Sequence, residues 1–173
     1  MDTADDGTRT ARSLGERLEA MHFAELGQDQ ATTRIIDTIA EWAEGQGWRV
    51  YRRAPSVFPL PPPLRGHSVL DVACARPGGP PLAIEVDRLD RPRTVDKLLA
   101  EAAAGRVAIW VRWGAGPFTP PPLPVHMVTR AAARTAGAWH TVTDRPPPEH
   151  SVAPIENAVA EELPWNGNEE GSK

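Results

Sequence analysis

A predicted hairpin with acidic residues inside its strands restricts the fold more than any other feature of the sequence. In the segment VLDVACARPGGPPLAIEVDR, two short apolar runs flank a Pro-Gly-Gly-Pro turn. Apolar runs bounded by turn residues predict two antiparallel strands, near residues 67–75 and 81–87. Because a carboxylate loses favourable hydration on burial, the acids in these runs either face solvent or are gathered for a purpose. They are Asp71, Glu85 and Asp87.

The predicted pairing brings the acidic side chains together. Side chains alternate along a strand, so Glu85 and Asp87 share one face. A turn centred near Gly78 and Gly79 places residue 71 opposite about residue 86, and Asp71 is then about 5 Å from one of the two acids. A divalent cation would remove their mutual repulsion, and Mg²⁺ typically takes one or two carboxylates plus waters and a phosphate. The alternative is an exposed edge hairpin with three solvated acids.

The remaining pattern predicts an α/β domain with a mixed sheet flanked by helices. We expect one domain over residues 13–145, between a disordered lead (1–12) and a disordered acidic tail (146–173). Hydrophobic spacing and caps predict helices over 14–26, 31–47 and 94–105, strands over 48–53, 106–113 and 125–130, and then a short helix, RAAARTAG, before a last strand, AWHTV.

Two proline-rich segments, SVFPLPPPLRG and GPFTPPPLP, interrupt this pattern. Proline removes backbone donors, so neither segment is expected to be a helix or a central strand. Each is interpreted as a stiff connection along the domain surface. The alternative is a ligand for a protein partner, which includes a second copy of the chain in a homodimer.

Composition limits the environment and the chemistry. No apolar run is long enough to cross a membrane and the N-terminus is polar, so we expect a cytoplasmic protein with no membrane partner. The single cysteine, Cys74, excludes an intramolecular disulfide and a multi-cysteine zinc site. Residues 34–145 contain fifteen Lys or Arg and ten Asp or Glu, whereas the flanking segments are acidic. A basic core is compatible with a polyanionic partner such as DNA.

The order helix, strand, hairpin, helix, strand, with D-x13-E-V-D on the hairpin, resembles the PD-(D/E)XK nuclease superfamily, the restriction-endonuclease-like fold. The resemblance covers about residues 33–113, and SVLDVACARPGGPPLAIEVDR is most similar to the very-short-patch-repair-like endonucleases. It implies a metal-dependent DNA endonuclease with Asp71 and Glu85 as ligands of Mg²⁺ or Mn²⁺, and the Val86 carbonyl beside them. Asp87 occupies the position where most of the superfamily has the lysine of E-x-K, which contacts the attacking water.

Two more residues gain a role from the resemblance. Lys97, on the helix after the hairpin, is available as a lysine that has moved from the E-x-K position; the alternative is a solvated lysine on the helix surface. Glu41 resembles an extra acidic ligand that some members place on the first helix; the alternative is an exposed glutamate.

Candidates for binding nucleic acid lie around the hairpin. Arg88, Arg91 and Arg93 follow the E-V-D motif next to a helix N-terminus, where an anion finds donors; a solvated loop is the alternative. His67 could contact phosphate or transfer a proton, or be a polar residue at a strand edge. Three functions therefore stay open: a metal-dependent DNA endonuclease or DNA-processing protein, a catalytically inactive nuclease-fold module that binds nucleic acid or protein, and a regulatory protein that uses its proline segments and acidic ends.

Overall fold

The computed structural model describes residues 3–142 of the 173, with side chains from residue 5 onward. The tail predicted over 146–173 lies outside the described residues. The helices and strands are α1 (Thr3–Glu19), α2 (Gln28–Gly45), β1 (Arg49–Pro59), β2 (His67–Ala75), β3 (Leu82–Asp87), α3 (Pro92–Ala103), β4 (Val107–Gly114), β5 (His126–Thr135) and β6 (Ala138–Thr141). No helix among the described residues is long and apolar enough to cross a membrane.

The six strands form one sheet in chain order, β1-β2-β3-β4-β5-β6. Strands β3, β4 and β5 are parallel to one another, and the other neighbours are antiparallel. Helix α3 makes the crossover between β3 and β4, as a parallel pair requires. The prediction of an α/β fold with a mixed sheet flanked by helices is confirmed, and so is the β2–β3 hairpin.

Alternation along β3 divides the core into two layers. Ile84 and Val86 belong to the larger apolar cluster, which includes Leu14 and Leu18 of α1 and Ile35 of α2. The opposite face is covered by α3 through a smaller cluster of Leu98, Ala108, Trp110 and Val125. Since successive strand residues point to opposite faces, Glu85 lies on the side that α3 covers.

The N-terminus contradicts the prediction of a disordered lead over residues 1–12. Residues 3–12 belong to α1, which ends at Glu19 and not at residue 26 as predicted. Arg76 anchors this helix, because its buried guanidinium donates to Asp6 at 2.6 Å and to the Pro80 carbonyl. Helix formation here depends on a partner 70 residues away, which local sequence does not reveal. The folded unit is also less basic than predicted, since residues 3–142 contain 17 Lys or Arg and 15 Asp or Glu.

Two further predictions differ from the structure. RAAARTAG is not a helix: most of it extends β5, and Ala136 and Gly137, both with positive φ, form the turn into β6. Cross-strand pairing therefore outweighs the helix propensity of alanine. The start of the first proline segment belongs to β1, which runs to Pro59. Proline lacks the backbone N–H that a central strand needs for its hydrogen bonds. Prolines are tolerated in β1 because this strand is at the edge of the sheet.

Candidate active site

The candidate site lies where strands β2 and β3 separate. Their ladder pairs residues 72–74 with 82–84 and ends there. Beyond it, side chains fill the place of backbone pairing: the Asp71 carboxylate accepts a hydrogen bond from the Val86 N–H at 2.8 Å, and the Lys97 ammonium donates to the Val69 carbonyl at 2.8 Å. The two strands are thus held apart by polar side chains.

A pocket of about 410 Å³ opens at this point, next to the carboxyl ends of the parallel strands. This edge of an open α/β sheet is where ligands usually bind. Helices α2 and α3 both begin at the pocket, which directs the positive ends of their dipoles toward it. The charged side chains in its lining are Asp29, Asp71, Glu85, Asp87, Arg88, Arg91, Arg93 and Lys97.

Lys97 forms a buried ion pair with Glu85. Its Nζ lies 2.9 Å from Oε1 of Glu85, and the two residues are 8% and 6% exposed. The alternative of a solvated lysine on the helix surface is therefore wrong. Lys97 lies on the inner face of α3 together with Thr94 and Leu98, which are also buried. Helix α3 thus places a positive charge beside Asp71 and Glu85, which we call the carboxylate pair. Lys97, which carries this charge, is ten residues further along the chain than Asp87, the E-x-K position.

Burial changes the acidity of both carboxyl groups. The pKa of Glu85 rises from an ordinary 4.5 to about 7, mainly through burial; the charge of Asp71 adds to the rise, and Lys97 opposes it. Burial also raises the pKa of Asp71, against the hydrogen bond from Val86. Desolvation is the main cause in each case, since water no longer stabilises the charged form. Two negative charges on Asp71 and Glu85 are therefore unfavourable unless a cation compensates them.

The raised pKa of Glu85 predicts a stability that depends on pH. Native Glu85 binds its proton more tightly than unfolded Glu85, so its contribution is fully present below about pH 4.5 and is lost as the pH rises through about 7. The rise of the Glu85 pKa from 4.5 to about 7 corresponds to about 3 kcal/mol. Denaturant unfolding of metal-free protein at pH 5 and pH 8 should show this loss in wild type, and Glu85→Gln should remove it. Glu41→Gln, at an exposed position, should keep the wild-type slope; an unchanged slope in Glu85→Gln would contradict the prediction.

Asp87 is held by two donors. The Trp110 indole N–H donates to Oδ2 at 3.0 Å, and Nε of Arg91 lies 3.3 Å from Oδ1. Asp87 lies on the same face of β3 as Glu85, as the alternation predicts, but these partners turn its carboxylate toward the start of α3. Its contacts are thus with Trp110 and with Arg91, an arginine of the pocket that it can hold in place.

The three arginines predicted to bind nucleic acid all line the pocket. Arg88 donates to Gln28 at 3.0 Å, and Arg93 donates to the Pro59 carbonyl at 2.7 Å and stacks on Phe58. Arg91 is more than half exposed. They provide cations in the pocket that contains Asp71 and Glu85.

Two predicted site residues do not join the pocket. Glu41 is exposed on α2, where it pairs with Arg17 at 3.3 Å, because the helix turns it away from the sheet. His67 is exposed at the start of β2, where the ladder places it opposite Pro59. The metal-ligand role predicted for Glu41 and the phosphate contact predicted for His67 therefore have no support in this geometry.

Sequence reasoning missed two charged residues near the carboxylates. Asp29, in the first turn of α2, lines the pocket. An acid in the first turn of a predicted helix was visible, but its closeness to a hairpin more than 40 residues away was not. Arg53 of β1 lies beside Asp71 in the sheet, since the flanking pairs are Arg52 with Val72 and Ala54 with Leu70.

The donors present suit a hard cation with few protein ligands. Among the described residues, no group of three or more His, Cys, Asp or Glu side chains is arranged to hold a metal ion. Asp71 and Glu85 supply two carboxylates, however, and the carbonyl of Val86 points into the same gap as its N–H, because both groups of a strand residue face the same edge. Mg²⁺ usually needs one or two carboxylates, its remaining ligands being waters and substrate phosphate. The oxygen donors therefore fit Mg²⁺ or Mn²⁺.

No family model, no curated protein and no solved structure matches this chain.

Proposed function

We propose that this chain is a metal-dependent DNA endonuclease with a restriction-endonuclease-like fold, which hydrolyses phosphodiester bonds. The observation that supports it is the meeting of Asp71, Glu85 and Lys97 where β2 and β3 separate, in a pocket that arginines also line. A phosphodiester substrate needs cations around its negative oxygens, and a hydrolase needs groups that activate water. A cytoplasmic location is part of this proposal.

Each residue has a distinct part in the proposed reaction. Asp71, Glu85 and the Val86 carbonyl would hold Mg²⁺ or Mn²⁺, which would supply a water of lowered pKa and would neutralise charge on the phosphate. Lys97, fixed by Glu85 and the Val69 carbonyl, orients the attacking water and stabilises negative charge on the phosphorane. Arg88 and Arg93 bind the phosphate, and Asp87 orients Arg91.

A second candidate is a nuclease-fold module that binds DNA or protein without cleaving it. It is favoured by Asp87, which holds the E-x-K position and contacts Trp110 and Arg91 instead of the carboxylate pair. In this case the pocket cations bind phosphate, and no water is activated.

Incubation with supercoiled plasmid in Mg²⁺ or Mn²⁺ separates the two candidates. Wild type should produce nicked and linear plasmid, and Asp71→Asn should reduce the rate at least about 100-fold, a typical loss of electrostatic stabilisation in an active site. Glu41→Gln is the matched control, since this acid lies away from the pocket, and should retain the wild-type rate. Equal cleavage by Asp71→Asn would contradict the assignment of the site. A wild type inert on single-stranded, duplex and branched DNA, yet retarding their migration in a gel, would support the binding module.

A further inference from the structure

Arg53 has a backbone conformation that its side chain disfavours. Its φ is +51°, although the residues on both sides pair in register with β2. The left-handed region is uncommon for residues other than glycine, because Cβ approaches the following carbonyl oxygen. Strain of this kind is found preferentially at functional sites, where the surrounding structure maintains it. Arg53 is the only non-glycine residue with positive φ within a β-strand of the described chain.

The sheet places Arg53 in one row with the carboxylate pair. The flanking pairs set Arg53 opposite Asp71, and continuing the β2–β3 ladder by one residue sets Asp71 opposite Glu85. Arg53 is exposed, and its charge acts on the Asp71 carboxylate. Within the part of the chain that the structure describes, no side-chain hydrogen bond or ion pair holds its guanidinium. A strained residue thus presents an unpaired cation beside the candidate metal ligands.

Arg53 also balances the distribution of charge around the site. Arg88 and Arg91 lie where β3 leads into α3, and Arg93 reaches Phe58 and Pro59 at the end of β1. Arg53 lies in the middle of β1, on the other side of Asp71 from β3. A ligand that satisfies cations on both sides of a carboxylate pair must present several anionic groups in a row. The phosphates of a nucleic acid strand do so at regular spacing, and an arginine binds each with a planar set of donors.

We propose that Arg53 is a further substrate-binding residue, whose guanidinium contacts a phosphate of the DNA strand on the β1 side of the carboxylate pair. This rests on the proposed function and extends it: the cleaved strand passes across β1, β2 and β3, with one phosphate at Arg53 and another at Arg88 and Arg91, next to the start of α3. The unfavourable φ of Arg53 directs its side chain toward the DNA strand and lowers the stability of the folded domain.

Arg53→Gly separates this role from a structural one, because glycine adopts positive φ without strain. The variant should melt about 2–4 °C higher than wild type. In Mg²⁺ its kcat/KM on duplex DNA should fall about 10-fold, and the slope of log kcat/KM against log salt concentration should become shallower by about 1, the signature of one lost phosphate contact. Arg53→Asn, which also tolerates positive φ, should show the same kinetic loss, and Arg53→Lys should retain most of the salt dependence.

Two control variants isolate charge and strain. Arg134→Ala removes an exposed positive charge from β5 and should leave kcat/KM within about twofold, since steering by a distant surface charge is weak. Ala136→Gly relieves the positive φ of the β5–β6 turn and should raise the melting temperature without affecting DNA. Wild-type kinetics and salt slope in Arg53→Gly, or an equal loss in Arg134→Ala, would overturn the role of Arg53 and leave the nuclease proposal intact. A wild type that neither binds nor cleaves DNA would overturn both.

Discussion

Replacing Lys97 with methionine should lower the rate of DNA cleavage about 1,000-fold, within the range observed when a group that assists proton transfer or stabilises transition-state charge is lost. Methionine preserves the apolar stem of this buried side chain and hence its packing, while loss of the ion-pair partner of Glu85 lowers the stability of the domain. The ammonium that contacts Glu85 at 2.9 Å is lost, and with it the charge beside the attacking water. Single-turnover rates at saturating Mg²⁺, with circular dichroism to verify folding, provide the measurement.

The dependence of the cleavage rate on pH in this variant distinguishes a catalytic role of Lys97 from a purely structural one. Lys97 lowers the pKa of Glu85, against the effect of burial and of Asp71. Without it the pKa of Glu85 rises further, so the remaining activity should require a higher pH than wild type does. Arg134→Met removes an exposed cation and should leave both rate and profile unchanged. A folded Lys97→Met enzyme within twofold of the wild-type rate would show that the lysine has no part in the reaction.

Replacing Glu101 with alanine should cost about 3 kcal/mol in the free energy of unfolding, the scale expected when one partner of a buried ion pair is removed. Glu101 is completely buried and accepts three hydrogen bonds, from the Ser56 hydroxyl at 2.5 Å, the Val57 N–H at 2.8 Å and Arg106 at 2.5 Å. Alanine leaves all three donors without this acceptor, and it leaves a cavity.

Guanidinium unfolding with a matched variant tests this expectation. Asp96→Ala removes an exposed acid from the same helix and should change the free energy of unfolding by less than about 0.5 kcal/mol. Equal losses in the two variants would mean that the buried network does not stabilise the domain. Glu101→Gln, which retains an acceptor, should lie between alanine and wild type.

Glu101 and Lys97 together explain how α3 positions the site. They are four residues apart and therefore share one face of the helix. Glu101 fixes that face to β1 through Ser56, and Lys97 fixes it to β2 and β3 through Val69 and Glu85. The helix thus spans the three strands at the point where β2 and β3 separate, which keeps the lysine and the carboxylates in register.

Much of this arrangement was predictable because it depends on local pattern. The two apolar runs and their Pro-Gly-Gly-Pro turn define the β2–β3 hairpin, and turn geometry sets its register to within one residue. Side-chain alternation along β3 then places Glu85 on one face of the sheet and its neighbours Ile84 and Val86 on the other face. The inner face of α3 was less apparent: Lys97 and Glu101 flank Leu98 at helical spacing, but charged residues next to an apolar position usually face solvent.

The sequence alone determined that two carboxylates meet on a hairpin in an α/β sheet, because strand alternation and a tight turn act over fewer than twenty residues. The tertiary structure decided which charges join them. Lys97 reaches Glu85 only because α3 crosses the sheet, Asp29 lines the pocket only because α2 begins there, and Glu41 is excluded by its position on the helix. It also decided that α1 is folded, through an ion pair across 70 residues. The physical reason is common to all of them: contacts between distant segments depend on how helices pack on the sheet, and local periodicity does not encode that packing.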